Sequence, residues 1–383
     1  MARSIRRYTV WCRSLEIKKL ELFGLKVPLL TPFQTSFGTM KYRSHIIVRL
    51  EEKGGEVGWG EVPVEDGPWY SYETVQTASH IISDFISEKI LSVDIDARNF
   101  KKYFSFIRGH NMAKAGVEMA LWDLEAKMNS KPLAKYIGGI RDRIESGVSI
   151  GIKPNITELL KTIESRLDEG YRRIKIKIKP GWDVDVVRKI KEVFPDIPLQ
   201  VDANAAYSLK DYRTFQLLDK YDLLMIEQPL DYNDLIHHSL LATKLRTPIC
   251  LDESIKCIYD AVAAYSLRSC SIINIKPARV GGITESKLIH DFSQTVGIGC
   301  WIGGMLETGI GRGFLVALAT LPNIIYPNDI SGSRRYWKED IVYPEWTVEK
   351  GYIKVPKGSG IGVEVIDEKL EKYTQWRKKW LRK

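Results

Sequence analysis

Between residues 173 and 180 the chain alternates without a break: Arg173, Lys175, Lys177 and Lys179 fall on one parity and Ile174, Ile176 and Ile178 on the other. Period two predicts a strand with two unlike faces. Four apolar runs follow, each closing on an ion: 199–202 on Asp202, 223–227 on Glu227, 248–252 on Asp252 and 271–276 on Lys276. The steps from Lys177 are 25, 25, 25 and 24 residues, which suits one strand, one helix and two loops. Ser149, Ile150 and Gly151 supply a first strand, and 301–305 and 323–326 the last two. A helix is expected over 156–169, with Gly170 as its C-cap. Strand and helix alternating with parallel crossovers predict an α/β fold, a (β/α) barrel.

The first part of the chain has a different rhythm. Residues 15–39 read as two strands around a loop, and 44–50 and 57–62 as a meander turned at Gly54 and Gly55. The stretches 33–39 and 65–71 mix aromatic, polar and glycine residues, as loops over sites do. From Thr74 the period becomes helical, with Val75, Ala78, Ile81, Ile82 and Phe85 on one face. A second helix is expected over 112–129, where Ala113, Gly116 and Ala120 suggest close packing. Strands followed by helices make this an α+β unit. The tail, with Tyr373, Trp376 and Trp380 set among lysines and arginines, predicts an amphipathic docking helix. The expected division is an N-terminal arm (1–14), the α+β domain (15–140), the barrel (141–340) and a returning C-terminal segment (341–383).

Composition removes several classes of function. No run of 18 apolar residues occurs, so no membrane span is expected. The basic N-terminus lacks the apolar stretch of a signal peptide. Five cysteines form no C-x-x-C pair. They predict reduced thiols in a cytoplasmic protein, without a zinc knuckle or a disulfide framework. The net charge of +9 is spread along the chain, which argues against nucleic acid and suits the gathering of small anionic substrates. The six histidines form no triad with a nucleophile, and Gly281-Gly282 has no following lysine of a phosphate loop.

The ions at the strand ends then carry the chemistry, because barrel sites lie at that face. The bland alternative for each carboxylate is a helix N-cap or a solvated surface group. Three on consecutive strands, Asp202, Glu227 and Asp252, can instead converge, and cannot all ionise there without a counter-charge. All-oxygen ligation points to Mg²⁺, with Mn²⁺ as an alternative. Lys177 and Lys276 flank the carboxylates from strands two and six. Lys175 shares a face with Lys177 and is expected to favour its neutral form. A metal holding a substrate carboxylate stabilises the enediolate left by a departing α-proton. Two bases on opposite faces would racemise; one base and a cation would eliminate. A non-catalytic barrel kept as a binding module is the reading from another class.

Taken together, Lys175-Ile176-Lys177, Asp202, Glu227, Asp252 and Lys276 resemble the muconate-lactonizing-enzyme subgroup of the enolase superfamily, over nearly the whole chain. The runs 32–39, 109–114, 200–204, 226–230, 250–254, 274–282 and 303–309 are similar to its o-succinylbenzoate synthase / N-succinylamino acid racemase enzymes. The resemblance implies a (β/α)7β TIM-like barrel with an α+β capping domain completed by the C-terminal segment. It implies a small carboxylate substrate and a homo-oligomer. By the same resemblance, Lys177 is a base, Lys276 the acid/base or cation on the other face, and Lys175 the tuner of Lys177. Asn204 supports the metal end, Arg279 matches an arginine near the strand-six lysine, and Phe33, Tyr70 and Met305 line the pocket; the resemblance makes these five the substrate-binding residues. Ala278 departs from the usual glycine. Dipeptide epimerases of the superfamily carry D-x-D after strand eight, where this chain reads Asp329-Ile330-Ser331; they and the muconate or lactone cycloisomerases are the alternatives.

Overall fold

The computed structural model describes residues 14–34 and 38–383. The expected arm, Ser14 excepted, and the loop residues Thr35, Ser36 and Phe37 lie outside them. Three antiparallel strands open the fold: β1 (Leu15–Gln34), β2 (Thr39–Glu52) and β3 (Val57–Val62). Next come α1 (Val75–Ile81), one π-helical turn (Ile82–Ile86) and α2 (Ser87–Ser92). The π turn inserts a residue into the helical period. The buried face therefore passes to Ile86, and Phe85, expected inside, is exposed.

The long helix α3 (Asn111–Met128) lies on the sheet at backbone distance. A Cβ on Gly60 would stand 2.0 Å from the Gly116 carbonyl oxygen, and one on Gly58 2.2 Å from that of Ala120. The expected small-residue packing is thus between helix and sheet, and only glycine fits at these crossings.

Seven parallel strands follow in sequence order: β4 (Val148–Ile150), β5 (Ile174–Lys177), β6 (Leu199–Asp202), β7 (Met225–Glu227), β8 (Ile249–Leu251), β9 (Ile272–Ile275) and β10 (Gly299–Ile302). Between β4 and β5 runs α4 (Ile156–Asp168), capped by Asn155 and ended by Gly170 at φ +85°. The strand expected over 323–326 is reduced to bridges. Ile324 pairs with Cys300 and Asn328 with Ser146, and the Asp329 amide donates to Ile302 at 2.9 Å. These contacts close the ring. Pro322 and Pro327 bracket the segment and have no N–H for a ladder.

Alternate residues sort between two environments. Ile174, Ile176, Val201, Ile226, Leu251 and Ile273 belong to the main core. Met225, Cys250, Ile272 and Trp301, on the other parity, form a small separate cluster that plugs the ring. Above that plug the inward positions are polar.

Two buried carboxylates of the N-terminal unit cap barrel helices. The helix α5 (Ile283–Val296) begins at Gly282, which has no side chain to cap it. Glu118 of α3 accepts from the Ile283 and Thr284 amides at 2.8 and 2.9 Å instead. Glu61 of β3 accepts from the Thr308 amide and hydroxyl, at 2.9 and 2.6 Å, and from the Gly311 amide at 2.8 Å, at the start of α6 (Gly309–Ala319).

The terminal segment corrects the helical expectation. Only α7 (Asp367–Tyr373) is helical, and β11 (Thr374–Leu381) is a strand paired antiparallel with β1. Trp376 and Trp380 are four apart, a spacing that keeps one face in a helix and in a strand alike. The free edge of β1 decides between them, and Gly24, opposite Trp376, leaves room for its indole: a Cβ there would stand 2.0 Å from the ring. No helix among the described residues is long and apolar enough to cross a membrane.

Glu21 ties β11 to the sheet, bonded by Arg377 at 2.6 Å, Arg49 at 2.7 Å and Lys19 at 3.0 Å. Burial alone would raise this carboxyl. The hydrogen bonds and charges of Arg377 and Lys19 outweigh it and hold Glu21 down at about 2. A carboxyl depressed in the folded state adds stability that is complete above its unfolded pKa and lost as the pH falls towards the folded one. Glu21→Gln is therefore expected to cost about 2 kcal/mol near neutral pH, and the difference from the native chain should shrink to nothing as the pH falls from about 4.5 to about 2. Urea denaturation across that range measures it.

Candidate active site

The register of the barrel strands puts the inward polar side chains in rows. Lys175 is level with Gln200, Lys177 with Asp202, and Asp202 with Glu227. Lys175 is buried, with its ammonium 2.6 Å from Asp329, 2.9 Å from Glu227 and 3.2 Å from Asp202, and 4.9 Å from the centre of the Trp301 ring. Burial would lower its pKa, yet the charges of Asp329, Glu227 and Asp202 carry it well above the ordinary range. Lys175 is thus a fixed positive charge.

Lys177, one step up the strand, donates to Asp202 at 2.7 Å and to Asn204 Oδ1 at 2.6 Å. Asn204 donates in turn to Glu253 at 3.0 Å. From β9, Lys276 donates to Asp252 at 2.8 Å. Burial opposes its charge, but Asp252, Tyr70 and Glu253 raise its pKa above the usual range. Arg279 is bonded to the other oxygen of Asp252 and donates to the Ile255 carbonyl at 2.8 Å.

Tyr70 does more than line a wall. Its hydroxyl donates to Asp252 at 3.0 Å and accepts from Lys276 and Arg279, each at 3.3 Å. Phe33, Tyr70, Lys177, Asn204, Lys276 and Met305 all line one cavity of about 100 Å³. Strands two and six of an eight-membered ring are diametrically opposed, so Lys177 and Lys276 enter it from opposite walls.

The three expected metal ligands are buried, and each meets a lysine ammonium. Among the described residues no group of three or more His, Cys, Asp or Glu side chains is gathered tightly enough to hold an ion. The donor set nonetheless suits a hard divalent cation. Burial, together with the charges of Asp202 and Asp252, pushes the Glu227 carboxyl up to about 8. The Glu253 carboxyl is pushed up to about 7 by burial and by Asp252, and its Oε2 is buried without a partner.

Sequence reading missed four supports. Gln200 and Asn274 donate to the two oxygens of Glu227 at 2.6 and 2.7 Å. Arg173 bonds Asp329 at 2.7 Å. Asp329 itself bridges Arg173 and Lys175. The first three stand two residues before Asp202, Lys276 and Lys175, so the period-two pattern already placed them on the inner face. Asp329 had no such signal, because no regular strand precedes it.

Two family descriptions match the chain. "Mandelate racemase / muconate lactonizing enzyme, N-terminal domain" covers residues 19–138 and "Enolase C-terminal domain-like" residues 158–369. An o-succinylbenzoate synthase of Geobacillus stearothermophilus is 48% identical over 366 residues, 95% of this chain and 98% of that protein. An N-succinylamino acid racemase of Amycolatopsis sp is 43% identical over 94% of this chain and 98% of that one. The crystal structure of an enolase superfamily member from Listeria innocua superposes with a TM-score of 0.94 at 39% identity, covering 96% of this chain and all of that one.

Asp329→Ala is expected to lower stability by about 3 kcal/mol, since it leaves Arg173 and Lys175 short of a buried partner. Arg173→Met in the same chain should recover part of that loss, as read by urea denaturation. With strands, site and relatives in agreement, the chain belongs to the enolase superfamily, with the N-terminal domain of its mandelate racemase / muconate lactonizing type.

Proposed function

We propose that this chain removes a proton α to a carboxylate, as an o-succinylbenzoate synthase, an N-succinylamino acid racemase, or both. The observation that carries the reading is the facing pair of lysines on one small cavity, with buried carboxylates between their strands. The names of relatives above 40% identity point the same way.

Lys177 is positioned to take the proton. Its amine is fixed by Asp202 and Asn204, so little reorientation precedes transfer. Lys276, held charged by Asp252, delivers a proton to the opposite face, and the configuration inverts. In dehydration the proton taken from carbon leaves with a β-hydroxyl as water, while Lys276 remains an ammonium and steadies the developing negative charge. Lys175 acts at one remove: its charge, pinned by Asp329 and Glu227, lies one step below Lys177 on the same face and shares Asp202 with it. Phe33, Tyr70 and Met305 close the cavity around the substrate, and Arg279 anchors Asp252. Asp202, Glu227 and Asp252 would hold the divalent cation, Mg²⁺ or Mn²⁺, whose contribution when bound is to offset charge on the substrate carboxylate.

The test is incubation with N-succinyl amino acids in heavy water, beside an assay with the cyclohexadiene substrate of o-succinylbenzoate synthases. Exchange at the α-carbon or dehydration is expected; neither, in metal-loaded protein, refutes the reading. Lys177→Ala should abolish both reactions. Lys276→Ala should lower racemisation by about 10²–10⁴-fold, and substantial racemisation in that variant rules out two-base chemistry. Chelator treatment should end turnover, and Mg²⁺ added back should restore it and raise the melting temperature.

A further inference from the structure

A second cavity, of about 310 Å³, adjoins the catalytic one and shares Phe33 and Tyr336 with it. It lies between the end of β1, the turn after β4, helix α4 and the loop that contains Arg335. Four cations line it, Lys153, Lys161, Arg166 and Arg335, and no carboxylate does among the described residues. Nearby acids offset part of this charge: Glu169 is bonded to Arg166 and Glu158 acts on Lys153 from a distance, while Lys161 and Arg335 have no ion pair among the described residues.

Two further observations separate this cluster from a solvated basic face. The Nε atoms of Arg166 and Arg335 are both buried without a hydrogen-bond partner, a cost that proteins seldom leave unmet. Burial and the charge of Arg335 together push the Lys153 amine below its ordinary range, so these cations already repel one another. Arg43 and Arg312 are the rival cations beside the catalytic cavity, but each has an acid: Arg43, whose Nε also lacks a partner, is matched by Glu65 at 2.9 Å, and Arg312 by Asp340 at 3.4 Å.

We infer that this cavity is an anion-binding site beside the catalytic one, taking a carboxylate or phosphate group. The anion has two possible sources: the distal carboxylate of a substrate with two, which rests on the function proposed above, or a free anion. Arginine and lysine side chains around one cavity suit either, through charge-assisted hydrogen bonds.

Inorganic phosphate titrated calorimetrically into the full-length protein at low salt decides the site without any turnover. Saturable binding is expected, weakened at least tenfold by Lys161→Glu and by Lys153→Gln, and unaffected by Lys102→Glu, the same charge reversal on an exposed lysine outside the cavity. The second arm compares kcat/KM for an N-succinyl amino acid with that for its N-acetyl counterpart. A tenfold fall of this ratio in Lys161→Glu assigns the site to the substrate's distal carboxylate. An unchanged ratio with weakened phosphate binding assigns it to a free anion. Phosphate binding that is absent, or that all three variants share, together with an unchanged ratio, overturns the inference. If the native chain turns over neither these amino acids nor the cyclohexadiene substrate, the functional reading fails while the titration still decides the site.

Discussion

The constraint behind this structure is charge neutrality inside a closed ring. At the barrel mouth stand five formal cations, Arg173, Lys175, Lys177, Lys276 and Arg279, and five carboxylates, Asp202, Glu227, Asp252, Glu253 and Asp329, all buried or half-buried. An unpaired ion in such a place costs several kcal/mol. Nine of the ten are therefore met by an opposite charge from elsewhere around the ring, and Glu253 is bonded by the Asn204 amide instead. The strands cannot slip in register without breaking several ion pairs at once, so the electrostatics that serve a reaction also specify the barrel.

The same logic extends to the junction of the two units. Glu118 and Glu61 satisfy the N–H groups of α5 and α6, one of which starts at a glycine that cannot cap itself. A helix end buried against another unit needs such donors satisfied. The caps fix the N-terminal sheet over the barrel mouth, and Tyr70 reaches Asp252 from there. The N-terminal unit thus contributes a hydrogen bond to the row of ions at the mouth as well as a roof.

What could be read from the sequence follows from what is periodic. The lysine strand, the carboxylates at 25-residue steps and the inward face of Arg173, Gln200 and Asn274 all obey a period of two within a longer repeat. Features without a repeat stayed hidden. Asp329 follows a segment held by bridges alone. The π turn that exposes Phe85 leaves no mark in composition. The tail was ambiguous in principle, since a spacing of four fits both helix and strand, and only the open edge of β1 resolves it. Cap pairs such as Glu118 with Gly282 are contacts between distant parts of the chain, which no local pattern encodes.

Charge counting also bears on how such a site can turn over. The mouth balances formally with five ions of each sign, so a divalent cation would leave it two charges positive. A substrate carboxylate would offset one of these. In the proposed reaction, taking the α-proton would move charge within the row without changing its sum, because the proton gained at Lys177 is matched by the electron pair left behind on the substrate. The sum would hold as well when Lys276 passes a proton to the opposite face, or when a hydroxyl departs with the proton as water. A balance kept at every stage suits isomerisation and elimination alike. The side chains that distinguish the two then lie outside the row, among the groups that hold the far end of the substrate.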